Sequence, residues 1–288
     1  MMRPAVFDYV AASTVTEACA ELGRDPEGTR VLAGGQSLMP RLVRRLDRPR
    51  RLVDICRIAE LHELSATPDG VRMGAAVTQR TAELYPALQG FGVLAQALPG
   101  VGKVTTRNRG TVCGSLANAN PAAELGVCLV LLGGEVTAIS TRGLRRIAAE
   151  DFFLAPRRTA LEDDELLHTV RYDRPQAGTV GHFEKVTIRG AGDTPLLSAA
   201  VSARLGADGA TDVRIGVGGE GQKPTRAPSR ITAPLTGALD DPAIEHASRS
   251  LAAELEFRGD TRACADHRRR LAIRIVARLL RRLREDLL

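Results

Sequence analysis

The sequence contains no tryptophan, and only 3% of its 288 residues are aromatic. Proteins that bind single-stranded nucleic acid stack bases on aromatic side chains, so this scarcity disfavours that class of function. No apolar run reaches the roughly eighteen residues of a membrane-spanning helix, and the N-terminal residues show neither a secretory nor a transit-peptide pattern. We therefore expect a cytoplasmic protein without a membrane span.

Lysine is also scarce, so nearly all of the excess positive charge of +6 comes from arginine. Eight arginines lie between residues 268 and 284, where leucine or isoleucine recurs every four residues. This pattern predicts an amphipathic helix with a strongly basic face. Such a helix fits three alternatives: packing on its own domain, contact with an acidic partner subunit, or contact with nucleic acid or an acidic lipid surface.

The spacing of cysteine and histidine disfavours several kinds of metal site. The five cysteines form no CxxC pair, and the five histidines show no HExxH spacing. A disulfide framework, a zinc site or an iron–sulfur cluster on this chain is therefore not expected. No cluster of acids and bases indicates proton chemistry, so we assign neither catalytic residues nor metal ligands.

Hydrophobic periodicity and turn residues predict a mixed α/β fold of two domains, residues 1–173 and 174–288. The first domain divides into lobes 1–57 and 58–173. Its predicted helices are at 14–22, 37–46 and 82–88, and its predicted strands at 29–33, 51–55, 71–78, 127–132 and 135–139. The second domain is predicted to form an antiparallel meander from segments 181–190, 196–206 and 211–219, followed by helices at 243–255 and 264–288.

The first candidate binding segment is VLAGGQS at residues 31–37, a predicted strand that leads into two glycines and the start of a helix. Glycines let a backbone approach a ligand closely, and unpaired N–H groups at a helix start bind phosphate oxygens. The segment matches neither the Rossmann nor the P-loop fingerprint. An ordinary strand-turn-helix connection is therefore the alternative to a pyrophosphate-binding loop.

The second candidate segment covers residues 105–121 and consists mostly of glycine, small and hydrogen-bonding residues. We predict a long polar loop that could wrap a polar cofactor, and a surface loop without a ligand is the alternative. The side chains that could contact a cofactor are Thr111, Ser115, Asn118 and Asn120. Cys113 is either a redox-active thiol or a small residue that fills space.

These two segments resemble the FAD-binding medium subunits of the molybdenum hydroxylases, the group of xanthine dehydrogenase and aerobic carbon monoxide dehydrogenase. The residues that carry the resemblance are AGGQSLMPRL at 33–42, LVDI at 52–55 and TRNRGTVCGSLANANPAAEL at 106–125. Further similar segments are LEDDELLHTV at 161–170, FEKVTIRGAGD at 183–193 and DHRRRLAIRIVARLL at 266–280. The resemblance therefore extends over almost the whole chain.

The resemblance implies a two-lobed FAD-binding domain of the vanillyl-alcohol-oxidase type, followed by a smaller C-terminal domain of sheet and helices, as in carbon monoxide dehydrogenase flavoproteins. It implies that residues 33–37 wrap the FAD pyrophosphate and that residues 111–115 close on it from the other lobe. It also places Glu124 near the ribose or adenine, Leu167 beside the adenine, and Lys185 near the flavin. The full set of residues implied to bind FAD is Leu32, Ala33, Gly34, Gly35, Gln36, Ser37, Thr106, Asn108, Gly110, Thr111, Cys113, Gly114, Ser115, Asn118, Asn120, Glu124, Leu167 and Lys185.

The same resemblance implies an electron-transfer subunit of a heteromeric, molybdopterin-dependent hydroxylase. Substrate would be oxidised at molybdopterin on a large partner chain, and electrons would arrive from [2Fe–2S] clusters on a small partner chain. An acceptor such as NAD, oxygen or a quinone would receive them, and the expected assembly is a dimer of heterotrimers. The alternatives are a stand-alone FAD-dependent oxidoreductase of the same fold and, least favoured, a basic nucleic-acid-binding scaffold.

The second segment departs from the usual pattern of this family at three positions. Cys113 stands in place of a glycine, Asn118 in place of a histidine and Asn120 in place of an aspartate. The missing carboxylate at Asn120 predicts a changed polar contact to FAD. Residues 194–196, Thr-Pro-Leu, stand where relatives often have an aromatic residue beside the flavin, so stacking from this segment is not expected.

Overall fold

The computed structural model describes residues 3–188, 193–206, 209–237 and 239–287. Its strands are β1 (Asp8–Ala11), β2 (Thr29–Leu32), β3 (Arg51–Asp54), β4 (Leu64–Ala66), β5 (Gly70–Gly74), β6 (Gly134–Ser140), β7 (Gly143–Ala148), β8 (Phe153–Ala155), β9 (Arg158–Thr159), β10 (Leu166–Asp173), β11 (Thr179–Val186), β12 (Leu197–Gly206), β13 (Gly209–Gly219) and β14 (Gln222–Arg226). Its α-helices are α1 (Val15–Arg24), α2 (Leu38–Val43), α3 (Gln79–Glu83), α4 (Val93–Ala97), α5 (Val104–Arg107), α6 (Val112–Ala117), α7 (Glu124–Leu132), α8 (Ala149–Phe152), α9 (Ser229–Thr232), α10 (Asp241–Glu254) and α11 (Ala265–Leu287).

The first lobe is built on a parallel sheet of order β1-β3-β2. Its helix α1 begins where the sequence predicts, because the Thr14 hydroxyl accepts a hydrogen bond from the Glu17 N–H at 3.1 Å. The strands predicted at 29–33 and 51–55 are confirmed as β2 and β3. The carboxyl end of β2 therefore leads directly into the glycines of the first candidate segment.

The second lobe is built on an antiparallel sheet of order β4-β5-β10-β6-β7. The strand predicted at 127–132 is wrong, because these residues belong to α7, which is buried along its whole length. A continuous apolar run fits a buried helix as well as a buried strand, since neither has a solvent-facing side that would impose a period. The helix ends at Gly133, whose φ of +87° favours glycine.

Residues 105–121 are not the long loop predicted from their composition. Two short helices, α5 and α6, occupy much of this segment. In α6, Val112 and Leu116 are buried one turn apart, which gives the polar sequence a small apolar face. The segment is therefore ordered by its own packing as well as by its polar groups.

Two predicted helices are shorter than their patterns indicate. The helix predicted at 82–88 is divided, because α3 ends at Glu83 and Pro86 starts a separate 3₁₀ turn. Proline is tolerated in the first turn of a helix but not in its interior. The helix predicted at 37–46 is observed as the shorter α2, which is followed by Arg45 with a φ of +55°.

The C-terminal region is an antiparallel sheet of order β11-β12-β13-β14; α11 packs against this sheet, and α10 packs against α11. The predicted meander is observed as β11, β12 and β13, and the predicted helices as α10 and α11, but β11 ends at Val186, before the predicted end at 190. Positions 189, 190 and 288 lie outside the described residues. Arg278 and Arg281 of α11 pair with Glu184 and Asp241 of the same region. These pairs favour the interpretation of α11 as a helix that packs on its own domain.

Helix α7 lies between the second lobe and the C-terminal region, and it packs against β12, β13 and β14 of the C-terminal sheet. The Ser198 hydroxyl donates to the Ala122 carbonyl at 2.8 Å, just before α7, and Arg214 donates to the Leu132 carbonyl at 3.2 Å, at its end.

Within the described ranges, no helix is both long and apolar enough to cross a membrane. In the same ranges, no cluster of His, Cys, Asp or Glu side chains could hold a metal ion.

Candidate cofactor-binding site

A cleft of about 1250 Å³ is lined by residues of both lobes. The first cleft loop, residues 33–37, connects β2 to α2 on one side. The second cleft loop, residues 111–115, forms the start of α6 on the other side. Both candidate segments from the sequence therefore contribute to a single cavity.

The first cleft loop presents unpaired backbone donors. No described residue accepts a hydrogen bond from the N–H groups of Gly35, Gln36 or Ser37. Gly35 has a φ of +70°, a conformation that favours glycine. The Cys56 thiol supports the start of the loop by donating to the Ala33 carbonyl at 3.3 Å. A row of free N–H groups beside a helix start is suited to an anionic group.

The backbones of the two lobes meet at Gly34. A Cβ atom at this position would lie 1.9 Å from the carbonyl oxygen of Arg109 and 2.7 Å from the Cα of Gly110. Contacts of a Cβ atom below 3.0 Å are essentially never observed. Glycine is therefore required at position 34 for the first cleft loop to lie this close to Arg109 and Gly110, which precede the second cleft loop.

The second cleft loop is braced by the protein itself. Thr111 is buried, and its hydroxyl accepts a hydrogen bond from the Gly114 N–H at 2.9 Å, which caps α6. The Gln79 N–H donates to the Gly110 carbonyl at 2.8 Å, and the Gln79 side-chain amide donates to the Thr111 carbonyl at 3.3 Å. These contacts hold the loop in place without a ligand.

Two buried polar atoms at the cleft, Gln79 Oε1 and Thr29 Oγ1, have no partner in the described part of the chain. Both residues line the cleft, and only 4% and 1% of their respective surfaces are exposed. Buried polar atoms are normally hydrogen-bonded, so these two indicate a ligand with hydroxyl or amino groups. FAD has such groups, together with an anionic diphosphate for the free N–H groups. The residues present therefore fit this cofactor.

Glu124 and Lys185, two predicted cofactor residues, bind each other. The Lys185 ammonium donates to Glu124 Oε1 at 2.9 Å and to the Asp193 carbonyl at 3.1 Å. Burial raises the pKa of the Glu124 carboxyl, and the charge of Lys185 opposes that shift. Glu124 lines the cleft, whereas Lys185 extends from β11 to the carboxylate. The pair thus joins the C-terminal sheet to the wall of the cleft.

Most of the predicted cofactor residues line the cleft. They are Ala33, Gly34, Gly35, Gln36, Ser37, Thr106, Gly110, Thr111, Gly114, Ser115, Asn118, Asn120 and Glu124. Five predicted residues lie outside the lining, namely Leu32, Asn108, Cys113, Leu167 and Lys185. Leu167 is buried in the core of the second lobe, and Asn108 is exposed to solvent elsewhere. Leu32 is the last residue of β2, so it precedes the loop that reaches the cleft.

The Cys113 thiol is buried beneath the second cleft loop. Its Sγ donates to the Met73 carbonyl at 3.5 Å, and 2% of the residue surface is exposed. Burial raises the pKa of this thiol well above its ordinary value, so the reactive thiolate is disfavoured. The structure therefore favours the space-filling role of Cys113 over the redox-active role.

The sequence analysis missed several polar residues of the cleft. Gln79 reaches it from the start of α3, Arg157 from the turn after β8, and Arg158 from the start of β9. No local motif marks these three residues, since only the packing of the sheets brings them to the cavity. Leu161 and Glu162 also line the cleft, and the resemblance of segment 161–170 was the one signal that pointed to them.

The chain matches two protein families in succession. Residues 5–172 match the FAD binding domain in molybdopterin dehydrogenase, and residues 182–283 match the CO dehydrogenase flavoprotein C-terminal domain. The chain is 33% identical over 282 residues to the nicotine 6-hydroxylase medium subunit of Paenarthrobacter nicotinovorans, which covers 97% of this chain and 98% of that one. It is 29% identical to the carbon monoxide dehydrogenase medium chain of Hydrogenophaga pseudoflava, with 97% of each covered.

Solved structures agree with these sequence matches. A carbon monoxide dehydrogenase from Hydrogenophaga pseudoflava matches with a TM-score of 0.92 at 30% identity, covering 97% of this chain and 98% of that one. Quinoline 2-oxidoreductase from Pseudomonas putida 86 matches with a TM-score of 0.92 at 30% identity, covering 99% of each. The chain therefore belongs to the family of FAD-binding medium subunits of the molybdenum hydroxylases.

Membership of this family defines the class of the enzyme and its cofactor. The chain is a flavoprotein subunit of a molybdenum-containing oxidoreductase, and its cofactor is FAD. The predicted fold class, an FAD-binding domain followed by a C-terminal flavoprotein domain of sheet and helices, is confirmed.

Proposed function

We propose that this chain is the electron-transfer subunit of a heteromeric complex. In this proposal a large partner chain oxidises the substrate at its molybdopterin, and a small partner chain delivers the electrons through [2Fe–2S] clusters. The present chain then passes them to an external acceptor. The relatives described above are medium subunits or medium chains, which supports a division of the chemistry among several chains. The assembly we propose is a dimer of heterotrimers.

The close approach of the two cleft loops at Gly34 supports the proposal most strongly. It places the free N–H groups of the first cleft loop and the capped start of α6 on one cavity of about 1250 Å³. The N–H groups would bind the FAD diphosphate, and Gln79 Oε1 would accept a hydrogen bond from the cofactor. Bound FAD supplies the redox chemistry, because it can accept and release electrons.

The first test is an absorption spectrum of the purified full chain, followed by heat release and identification of the chromophore. We expect about one FAD per chain, since the two loops form a single cavity. If the chain alone holds none, the measurement is repeated on the complex with its co-expressed partner chains. A complex that also lacks FAD would contradict the proposal.

A second test separates an electron-transfer subunit from a stand-alone oxidoreductase. The reduced small partner chain should bleach the flavin absorption of this chain, whereas the isolated chain should oxidise no organic substrate. Oxidation of a nicotine, purine or aldehyde substrate by the isolated chain would favour the stand-alone alternative. A lone, stable monomer in native extracts would contradict the heteromeric assembly.

A further inference from the structure

Four arginines line the cleft, and two of them are already engaged by the protein. Arg41 forms a two-point ion pair with Asp47, with N–O distances of 2.5 and 2.8 Å. Arg30 donates to backbone carbonyls, including its neighbour Thr29 at 2.7 Å. These two guanidinium groups have acceptors that do not depend on a ligand.

The other two arginines are exposed: Arg157 lies in the turn between β8 and β9, and Arg158 is the first residue of β9. In the described ranges, neither side chain forms an ion pair or a hydrogen bond. The backbone N–H of Arg157 donates to the Ala119 carbonyl at 2.9 Å, although the residue has a φ of +61°. This bond anchors the turn to the segment that follows α6, so the backbone that carries both side chains is fixed at the cleft.

The acidic residues of the neighbouring cleft segment are largely neutralised by other arginines. Glu165 is buried and accepts from Arg145 Nε at 2.9 Å, and Glu162 pairs with Arg142 at 3.0 Å. Asp163 and Asp193 also line the cleft, and neither forms an ion pair among the described residues. The unengaged carboxylates therefore equal the unengaged arginines in number, but neither carboxylate pairs with Arg157 or Arg158, so both guanidinium groups remain available to an anionic ligand.

We propose that Arg157 and Arg158 bind the diphosphate of FAD. The two cleft loops provide N–H donors but contain no cationic side chain, whereas the diphosphate is anionic. A guanidinium group offers planar, paired donors that match phosphate oxygens. This inference rests on the proposed function and adds to it the source of the positive charge that retains the cofactor.

The test is a titration of FAD, followed by flavin fluorescence, into the cofactor-stripped chain or complex, whichever holds FAD. The double variant carries Arg157→Gly, which tolerates the positive φ, and Arg158→Gln. We expect its Kd for FAD to rise roughly fivefold at low salt, and the difference to shrink at high salt because exposed charges are screened. Arg274→Gln is the matched control, since Arg274 is exposed on α11 outside the cleft lining.

The outcomes separate this inference from the function on which it rests. A double variant that equals the wild type in both Kd and salt dependence would overturn the role of Arg157 and Arg158, while leaving the proposed function intact. A wild-type chain and complex that bind no FAD would overturn both. An unchanged thermal midpoint of the double variant excludes a loss of folding as the cause of weaker binding.

Discussion

The first cleft loop leaves the N–H groups of three successive residues without an acceptor in the described chain, whereas the second loop has few free donors. In the second loop, the Val112 N–H donates to the Val77 carbonyl at 3.1 Å, and the Gly114 N–H donates to the Thr111 hydroxyl at 2.9 Å. Ser37 makes no comparable side-chain cap on α2. The protein thus determines the shape of one wall of the cleft and leaves the other to be completed by a ligand.

The largest expected effect comes from adding a side chain at Gly34, where the two lobes are in close contact. Gly34→Ala should destabilise the chain by about 1–3 kcal/mol, because its Cβ would overlap the carbonyl of Arg109. If the loops separate to relieve this overlap, FAD affinity should fall roughly tenfold or more. Thermal unfolding and FAD content per chain measure the two effects.

The control for this prediction is Gly23→Ala in α1. Its Cβ would meet only the Thr141 side chain, with Cγ2 at 3.7 Å and Oγ1 at 3.9 Å, and alanine in a helix should stabilise the chain by about 0.5–1 kcal/mol. FAD content should not change in this variant. Normal FAD content in Gly34→Ala would contradict the role assigned to the contact between the loops.

An intermediate effect is expected when the hydrogen bond between the Gly114 N–H and the Thr111 hydroxyl is removed from the second cleft loop. Thr111→Val deletes the acceptor of the Gly114 N–H and should lower the free energy of unfolding by about 1 kcal/mol. It should also weaken FAD binding several-fold, because the wall of the cleft is no longer held in advance. Both quantities are measured in parallel with the conservative variant Thr111→Ser, which keeps the hydroxyl acceptor and should bind FAD as the wild type does, although loss of its buried methyl group should lower the stability slightly.

Thr14→Val provides the matched cap variant outside the cleft. The Thr14 hydroxyl caps α1 through the Glu17 N–H at 3.1 Å, so a similar loss of about 1 kcal/mol is expected. FAD affinity should be unchanged in this variant. An equal loss of FAD affinity in Thr14→Val and Thr111→Val would show that the effect is one of general stability.

The smallest expected effect is a difference in thiol labelling between the two loops. Burial raises the pKa of Cys56, beneath the first loop, to about 11, and it raises the pKa of the fully buried Cys113 further. In single-cysteine variants without FAD, a maleimide should therefore modify Cys56 faster than Cys113, with the exposed Cys264 as the positive control. FAD should slow the labelling of Cys56 more than that of Cys113, and equal protection would contradict the comparison.

Local patterns in the sequence were sufficient for elements whose geometry is encoded by neighbouring residues. Helix α1 has a capping threonine and an apolar face, and β13 alternates Val213, Ile215 and Val217 with polar or small residues. The apolar run at 125–132 has no such alternation, because α7 is buried on every side between the two domains. Periodicity was absent there for a physical reason, and the predicted strand was wrong.

In the candidate site too, some features are encoded by neighbouring residues and others depend on tertiary packing. The glycines at 34 and 35 are a local feature, so the residues themselves marked both loops as candidates, whereas the resemblance was needed to choose ligand binding over an ordinary connection or a surface loop. Gln79 and the turn at 157–158 reach the cleft only through tertiary packing, so their composition gave no signal. The pairing of Lys185 with Glu124 also depends on contact between residues 61 positions apart.

Two of the three lysines of the chain connect the C-terminal sheet to the FAD-binding domain. Lys185 neutralises the buried Glu124, and Lys223 donates to the Phe153 carbonyl at 2.7 Å. A fragment that ended near residue 174 would retain Glu124 as an uncompensated buried charge in the wall of the cleft. The Lys223 bond needs only a backbone carbonyl, which any residue at position 153 supplies, so recombination between relatives would have to preserve the pair of Lys185 with Glu124. A flavin-binding domain transplanted onto a foreign C-terminal domain would need a cation in the same position opposite Glu124.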